Sequence, residues 1–442
     1  MREHTPPIRV FGTVFTLLVL LTILPGCDSY NLSLQNFFEN PVGDVPTPSP
    51  PSLSPPPPPA LTSFAEIEDR LRNGTPPVCL AVDIDLADTG GNGWTDLLDV
   101  IQAVGKYVSL DLSACDMSGT EFDPGSADTG EKFITALTLP DGATGIVGGT
   151  SANPTFRHFT ALASASGAEV ATVGDAAFFE CNTLEKVDLP AAKTIGRDAF
   201  YTCHKLETVN LPMAVTIGAY AFRSCDKLET VDLPAAETIG ERAFAYCTAL
   251  TTVTFPLAEA IDTRAFAYCP ALTTVTLPAS LTAIDGNPFG GCTALTALIV
   301  DDGNSHYKAE NGMLFSKDGA TLIGYPSASG TVALTGVTTI GGWAFANCTA
   351  LTAVDLSDAE NIGANAFYNT GTGNLTVTLP ETAPQVAASG DNIYASYAKP
   401  VTVKAPAGRT GYDSAWEANF KKAFGVSYDI YTVTINLTIE TE

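Results

Sequence analysis

The amino-acid sequence predicts a repeat solenoid of the α/β type. Short parallel strands should line one face, short helical or 3₁₀ turns the opposite face, and irregular caps both ends. Three observations predict it. Phe178, Phe200, Phe222, Phe244 and Phe266 recur at intervals of 22, with Phe289 following at 23 and Phe345 and Phe367 resuming the 22-residue step after a gap. A cysteine stands three residues after most of them: Cys181, Cys203, Cys225, Cys247, Cys269, Cys292 and Cys348. A leucine follows each cysteine by three, from Leu184 to Leu351. A unit of this length cannot bury its own Phe, Leu and Val, but stacked units share a continuous core.

The chain has 442 residues and a formal net charge of −26, with 45% hydrophobic and 16% charged residues. That hydrophobic content suits a packed chain rather than a disordered one. The acidic excess argues against nucleic acid or an anionic membrane surface as the main partner.

Residues 1–26 read as an export signal. Arg2 and Arg9 make a positive start and Val10 to Leu24 an apolar run, too short to span a bilayer. The run ends in Leu24-Pro25-Gly26-Cys27, which resembles the bacterial lipobox. The resemblance implies that Cys27 is lipidated and anchors the chain to a membrane, although Pro25 departs from the usual small residue. Residues 27–60 form a Pro/Ser-rich linker with five consecutive prolines at 55–59, a composition that favours extended polyproline II. An N-terminal cap with irregular repeats is expected over 61–170, and regular repeats over 171–300. An insertion at 301–330, further repeats at 331–380 and a C-terminal cap at 381–442 complete the organisation.

Within each unit, Leu-x-x-Val-x-Leu has the alternation of a short strand and is closed by Pro, which cannot donate to a ladder. Ile-Gly, as at Ile195-Gly196, Ile217-Gly218 and Ile239-Gly240, suits a tight bend. Ala-Phe then opens the short turn on the other side.

The complete unit, Ile-Gly-x-x-Ala-Phe-x-x-Cys-x-x-Leu-x-x-Val-x-Leu-Pro, resembles the BspA-like, or Treponema-type, leucine-rich repeat. The match covers roughly residues 170–380. It implies a right-handed superhelix and a non-catalytic surface protein, an adhesin for host matrix proteins or other bacteria, exposed on the outer membrane. Asn304–Pro326, containing Asn311-Gly312 and Asp318-Gly319, looks like that family's hairpin insertion and fills the gap of 56 residues between Phe289 and Phe345. The flanks, Gly105–Leu112 upstream and Val401–Lys404 with Gly411-Tyr412 and Trp416 downstream, look like those of spirochaete members.

The seven ladder cysteines share one repeat position and are odd in number, which points to free buried thiols rather than bridges. Cys79 and Cys115 lie in the irregular cap, where a bridge stays open. The histidines His158, His204 and His306 form no ligand-like pair, so no metal and no cofactor are expected. Asp88 to Asp99 loosely follows an EF-hand loop, but Gly90 stands at a ligand position and Asp99 replaces the bidentate Glu. A turn leading into an amphipathic segment, Trp94 to Val104, fits better. Nucleophile elbows, P-loops and zinc-protease motifs are absent from the sequence, so no catalytic residue is assigned.

The x positions of the strand segment should point outward. They read Glu185, Lys186 and Asp188, then Glu207, Thr208 and Asn210, then Glu229, Thr230 and Asp232. The next two coils continue with Thr251, Thr252 and Thr254, and with Thr273, Thr274 and Thr276. This acidic-to-threonine face is the candidate protein-binding surface, although a solvated strand face without a ligand would read the same. Tyr201, Tyr246, Tyr268 and Tyr368 mark a second strip on the outer turns. A structural or antigenic envelope coat without a dedicated ligand is the alternative function.

Overall fold

The computed structural model describes residues 59–387, apart from 88–92, 126–128 and 371–374, together with 401–405, 411, 416, 419 and 435–439. The export signal, Cys27 and almost all of the Pro/Ser linker lie outside the described residues.

The array begins with two helices. Phe64–Asn73 is capped by Ser63, whose hydroxyl accepts from the Glu66 N–H at 3.4 Å, and it buries Ile67 and Leu71. Trp94–Val104 buries Trp94, Leu97, Leu98 and Ile101 and stops at Gly105, whose φ of 67° no β-branched residue would adopt cheaply. This is the expected amphipathic segment; residues 88–92 of the acidic stretch before it lie outside the described residues. Between the helices, strand Val78–Ala81 pairs in parallel with Val108–Asp111 and forms the edge of the first sheet. The C-terminal strands Val401–Ala405 and Ile435–Ile439 extend the same kind of parallel pairing at the other end.

From there the chain coils, and each coil contributes to three walls. The first is the strand wall. Lys186–Asp188 pairs in register with Thr208–Asn210, and Thr230–Asp232 with Thr252–Thr254, so each Val stacks on the Val one coil away. The second wall is a ladder of two-residue strands at the Ile-Gly position, running from Glu121–Phe122 through Thr194–Ile195 and Thr216–Ile217 to Ala283–Ile284 without a break. The glycine here is required by close approach rather than by a bend. A Cβ on Gly218 would lie 2.7 Å from the Gly196 carbonyl carbon, and one on Gly240 2.7 Å from the Ala219 nitrogen.

The third wall carries Ala-Phe-x-x-Cys. Among the described residues it holds no helix; of the short helical or 3₁₀ turns expected, single 3₁₀-type i→i+3 turns are what form. Around every ladder Phe except Phe289, the residues two before and two after sit in the left-handed region, as with Asp198 at φ 55° and Thr202 at 55°, Arg242 at 52° and Tyr246 at 64°. That alternation breaks any helical run. Single i→i+3 bonds, such as Cys203 N–H to Phe200 O at 3.3 Å, alternate with bonds to the next coil, such as Phe200 N–H to Ala221 O at 2.7 Å. The turns are therefore hydrogen-bonded to one another from coil to coil. This regular linkage stabilises backbone conformations that would otherwise cost energy for non-glycine residues.

The phenylalanine rings fill the space between the walls. Phe178, Phe200, Phe222 and Phe244 stack face to face at 5.1, 5.0 and 5.1 Å, with Phe122 and Phe156 continuing the column upstream. Beside them each buried thiol donates to the phenylalanine carbonyl of the preceding coil, as Cys203 does to Phe178 O at 3.1 Å and Cys292 to Phe266 O at 3.0 Å. Thr370 takes the same part, donating to Phe345 O at 2.7 Å. Among the described residues eight thiols are free, including all seven of the ladder; Cys115 is among them, so it is not bridged to Cys79.

The insertion is a three-stranded antiparallel meander of Tyr307–Glu310, Met313–Ser316 and Thr321–Gly324, turning at Asn311 and Gly312 with φ of 52° and 79°. Its last strand rejoins the second wall beside Thr339–Ile340. Tyr325 then stands in for a ladder Phe, because its carbonyl accepts from Cys348 Sγ at 3.0 Å and its N–H donates to Ala344 O at 2.8 Å. The buried Asn287 closes the turn wall across the insertion, donating to Trp343 O at 3.0 Å.

Candidate functional site

The strand wall brings some of the outward residues together and separates others. Glu185, Glu207 and Glu229 are exposed and lie one above another. Asp188 departs from expectation: it is only 7% exposed, flanked in register by Ser166 and Asn210, and accepts from Asn210 Nδ2 at 2.7 Å. Both Asp188 and the half-buried Asn210 are thus engaged in a side-chain ladder instead of facing solvent freely.

The strand wall is not continuous. Its ladder of hydrogen bonds stops after Thr208–Asn210 and again between Thr252–Thr254 and Thr274–Leu277. At the second seam a groove of about 740 Å3 opens, and it gathers Asp232, Thr252, Thr254, Thr274 and Thr276 from the expected face. Thr254 donates to the Asp232 carboxylate across one coil. Several lining residues were not legible as site residues, Pro256, Leu257 and Asp301 among them. Leu257 is 54% exposed, an apolar side chain at the rim of a polar groove. Glu185, Glu207 and Glu229 lie outside it.

The outer-turn tyrosines lie on the third wall. Tyr201 stacks on Phe179 at 4.9 Å, and Tyr246 on Tyr268 at 4.5 Å. Tyr268 donates to Asn347 Oδ1 at 3.0 Å, reaching over the interruption, and Tyr368 leans on Trp343 at 5.1 Å. Burial raises the Tyr268 and Tyr368 hydroxyls above the usual phenol range. Arginines that sequence reading passed over are interleaved with them. Arg223 donates to the Tyr201 hydroxyl and lies over the Tyr246 ring, while Arg242 donates to the Tyr220 hydroxyl at 2.5 Å.

Among the described residues no group of acidic, histidine or cysteine side chains could hold a metal ion. The ladder thiols are equally removed from chemistry: burial pushes Cys181, Cys247 and Cys348 up to about 12 and the Cys115 thiol up to about 11. A thiol so protected is a poor nucleophile at neutral pH.

Comparison with known proteins bears on this geometry. The family model for the BspA type leucine rich repeat region matches six copies, at residues 171–296 and 327–407. The array is a BspA-type leucine-rich-repeat region. Of the solved structures, a leucine rich cell surface protein from Faecalibacterium prausnitzii A2-165 is similar over 72% of this chain and 89% of its own, at 23% identity and a TM-score of 0.52. A leucine-rich repeat protein from Eubacterium ventriosum matches 61% of this chain and 73% of its own at 17% identity and a TM-score of 0.39. One from Bacteroides ovatus matches 70% and 84% at 18% identity and a TM-score of 0.34. No curated protein matches the chain. Among the described residues no helix is long and apolar enough to cross a membrane.

Within the repeat unit, the positions that recur from coil to coil of this chain are those that pack, and the positions that vary between coils build the surface. The glutamates, threonines, arginines and tyrosines named above all occupy variable positions. Fold and family therefore leave the site to be argued from its own residues.

Proposed function

We propose that this BspA-type array is a non-catalytic cell-surface module that binds a protein partner through the strand wall. The groove between Thr252–Thr254 and Thr274–Leu277 carries the proposal. A groove of this size, with a row of threonine hydroxyls and an exposed leucine at its edge, offers hydrogen bonds along its length and one apolar anchor. Interfaces of this kind combine a buried anchor with a polar surround. Repeat arrays bind on such extended walls because successive coils place equivalent side chains at regular spacing.

The finer reading is adhesion to host matrix proteins or to other bacteria, from the outer-membrane surface. The Leu-Pro-Gly-Cys segment supports a lipid anchor at Cys27 preceded by an export signal, and the Pro/Ser linker supports a spacer between anchor and array. The alternative, an envelope coat without a ligand, is favoured only by the solvated acidic stripe of Glu185, Glu207 and Glu229.

The test is binding of the purified mature chain to immobilised matrix glycoproteins and to intact bacterial cells. Leu257→Asp combined with Thr274→Arg should weaken binding at least tenfold while leaving the unfolding midpoint unchanged. Unaltered binding would remove the groove from consideration. Protection of the protein from protease on intact cells would remove the surface role itself.

A further inference from the structure

The turn wall carries a second site, on the opposite side of the coil from the strand groove and independent of it. It originates in one repeat position, the residue directly after the ladder Phe. That position is large in the early coils, with Phe179, Tyr201 and Arg223. It then becomes small in four successive regular coils, Ala245, Ala267, Gly290 and Ala346, before Tyr368 restores bulk. The run of small residues leaves a trough along the wall, floored by Ala245 and Ala267 and closed at its ends by Arg223 and Tyr368. Its volume is about 300 Å3.

The two rims differ. The position two before Phe supplies Tyr220, Arg242 and Arg264; the position two after supplies the stacked pair Tyr246 and Tyr268. Left-handed backbone at Arg242, Tyr246, Arg264 and Tyr268 (φ 52°, 64°, 59° and 59°) fixes both rims on the same wall.

Arg264 is the telling residue. It is 7% exposed, its guanidinium lies over the Trp343 ring, and among the described residues it has neither a carboxylate nor a side-chain hydrogen-bond partner. Arg242 by contrast holds Glu241 at 2.6 Å. Burial, reinforced by the neighbouring Arg242 charge, lowers Arg264 to about 10, so it remains charged at neutral pH. A buried cation without a counter-charge is costly, and no acidic residue lines the trough of a chain whose net charge is −26.

We propose that this trough binds an acidic sugar, its carboxylate seated against Arg264 and Arg242 and its ring against the tyrosines of the rim. The planar guanidinium fork matches a carboxylate, and aromatic faces with phenolic hydroxyls match a ring that has apolar faces and hydroxylated edges. The volume lies at the lower end for ligand pockets, which suits one or two sugar rings and excludes a folded partner.

The probe is glucuronate, titrated calorimetrically into the whole mature chain, with glucose, acetate and sulfate as comparisons. Saturable glucuronate binding is expected, at least tenfold tighter than glucose or acetate and weakened by salt. Arg264→Gln should reduce it at least tenfold, and Ala267→Leu, which fills the floor and leaves every arginine in place, should abolish it. Arg72→Gln, on the N-terminal helix, should change nothing. Equal binding of glucose would overturn the role of the charge, and equal binding of acetate or sulfate would overturn the sugar. Glucuronate binding that survives both trough variants, or is absent in the unaltered chain, would overturn the site.

Discussion

Two stretches of the array share one consensus but differ in how closely their coils approach. From Phe178 to Phe244 the ring centroids are 5.0–5.1 Å apart, and the second wall carries glycine at 174, 196, 218 and 240. From Phe244 through Phe266 to Phe289 the spacing grows to 5.4 and 5.7 Å, and the glycine position holds Asp262 and Asp285. The first stretch leaves no room for a Cβ at the glycine. The second carries the Cβ of an aspartate at that position. The strand groove falls in the looser stretch, between the coils of Thr254 and Thr276, whereas the trough begins in the tight stretch at Tyr220 and Arg223 and runs on to Tyr368.

The largest expected effect tests the tight stretch. Phe222 is fully buried between rings at 5.0 and 5.1 Å, so its cavity cannot collapse. Phe222→Ala should destabilise by about 3–5 kcal/mol. Phe266→Ala should cost less, because Phe255 lies 5.7 Å away and the coils around it are already spread. Urea unfolding of the two variants measures the difference; equal losses would mean that ring spacing does not govern packing energy here.

Exchanging the glycine and aspartate should produce a smaller change of opposite sign in the two stretches. Gly218→Ala forces a Cβ against backbone 2.7 Å away and should cost about 1–3 kcal/mol. Asp262→Gly should raise the thermal midpoint and reduce binding at the strand groove. A Gly218→Ala variant as stable as the parent would refute close approach as the reason for glycine.

Much of this architecture is legible in sequence, and the boundary of legibility has a physical cause. Phe, Cys and Leu recur because one buried environment repeats, so their positions follow from periodicity alone. The second wall was misread as a bend, since a Thr-Ile pair is too short to show alternation. The expected helical or 3₁₀ turns form as single i→i+3 turns rather than runs, because left-handed φ at Asp198, Thr202, Arg242 or Tyr246 interrupts them and has no residue signature; these are not glycines. Asp188 was read as exposed because burial by its register neighbours Ser166 and Asn210 depends on coils that sequence spacing does not place. The tyrosines of the trough stood out as aromatic, whereas the signal that reveals the trough is the run of small residues between them.

The thiols report local opening. Cys203 and Cys225 lie in the tight stretch, Cys269 and Cys292 in the looser one, and all are buried. Mass-spectrometric alkylation near neutral pH should label Cys269 and Cys292 several-fold faster than Cys203 and Cys225, through openings smaller than global unfolding. Burial raises the folded-state pKa of Cys247 from 9.0 to about 12, so the stability this thiol contributes is complete below pH 9 and is lost as pH rises toward 12. Uniform labelling rates would mean that the wider coils open no more readily.

The smallest effect concerns the charge that holds the looser stretch apart. Burial raises the Asp262 carboxyl above the usual range, and the nearby Asp285 and Glu241 carboxylates raise it further. A raised folded-state pKa means that ionisation opposes folding. The contribution is therefore favourable below the unfolded carboxylate pKa and disappears as pH rises through the folded value. Asp262→Asn removes that linkage, so the parent should gain thermal stability relative to the variant as pH falls through the carboxylate range. At neutral pH the variant should be the more stable of the two, by an amount that shrinks with acidification. Scanning calorimetry of both proteins across that range decides it. A midpoint difference independent of pH would show that the aspartate acts through its size alone, and that the wider spacing is steric rather than electrostatic in origin.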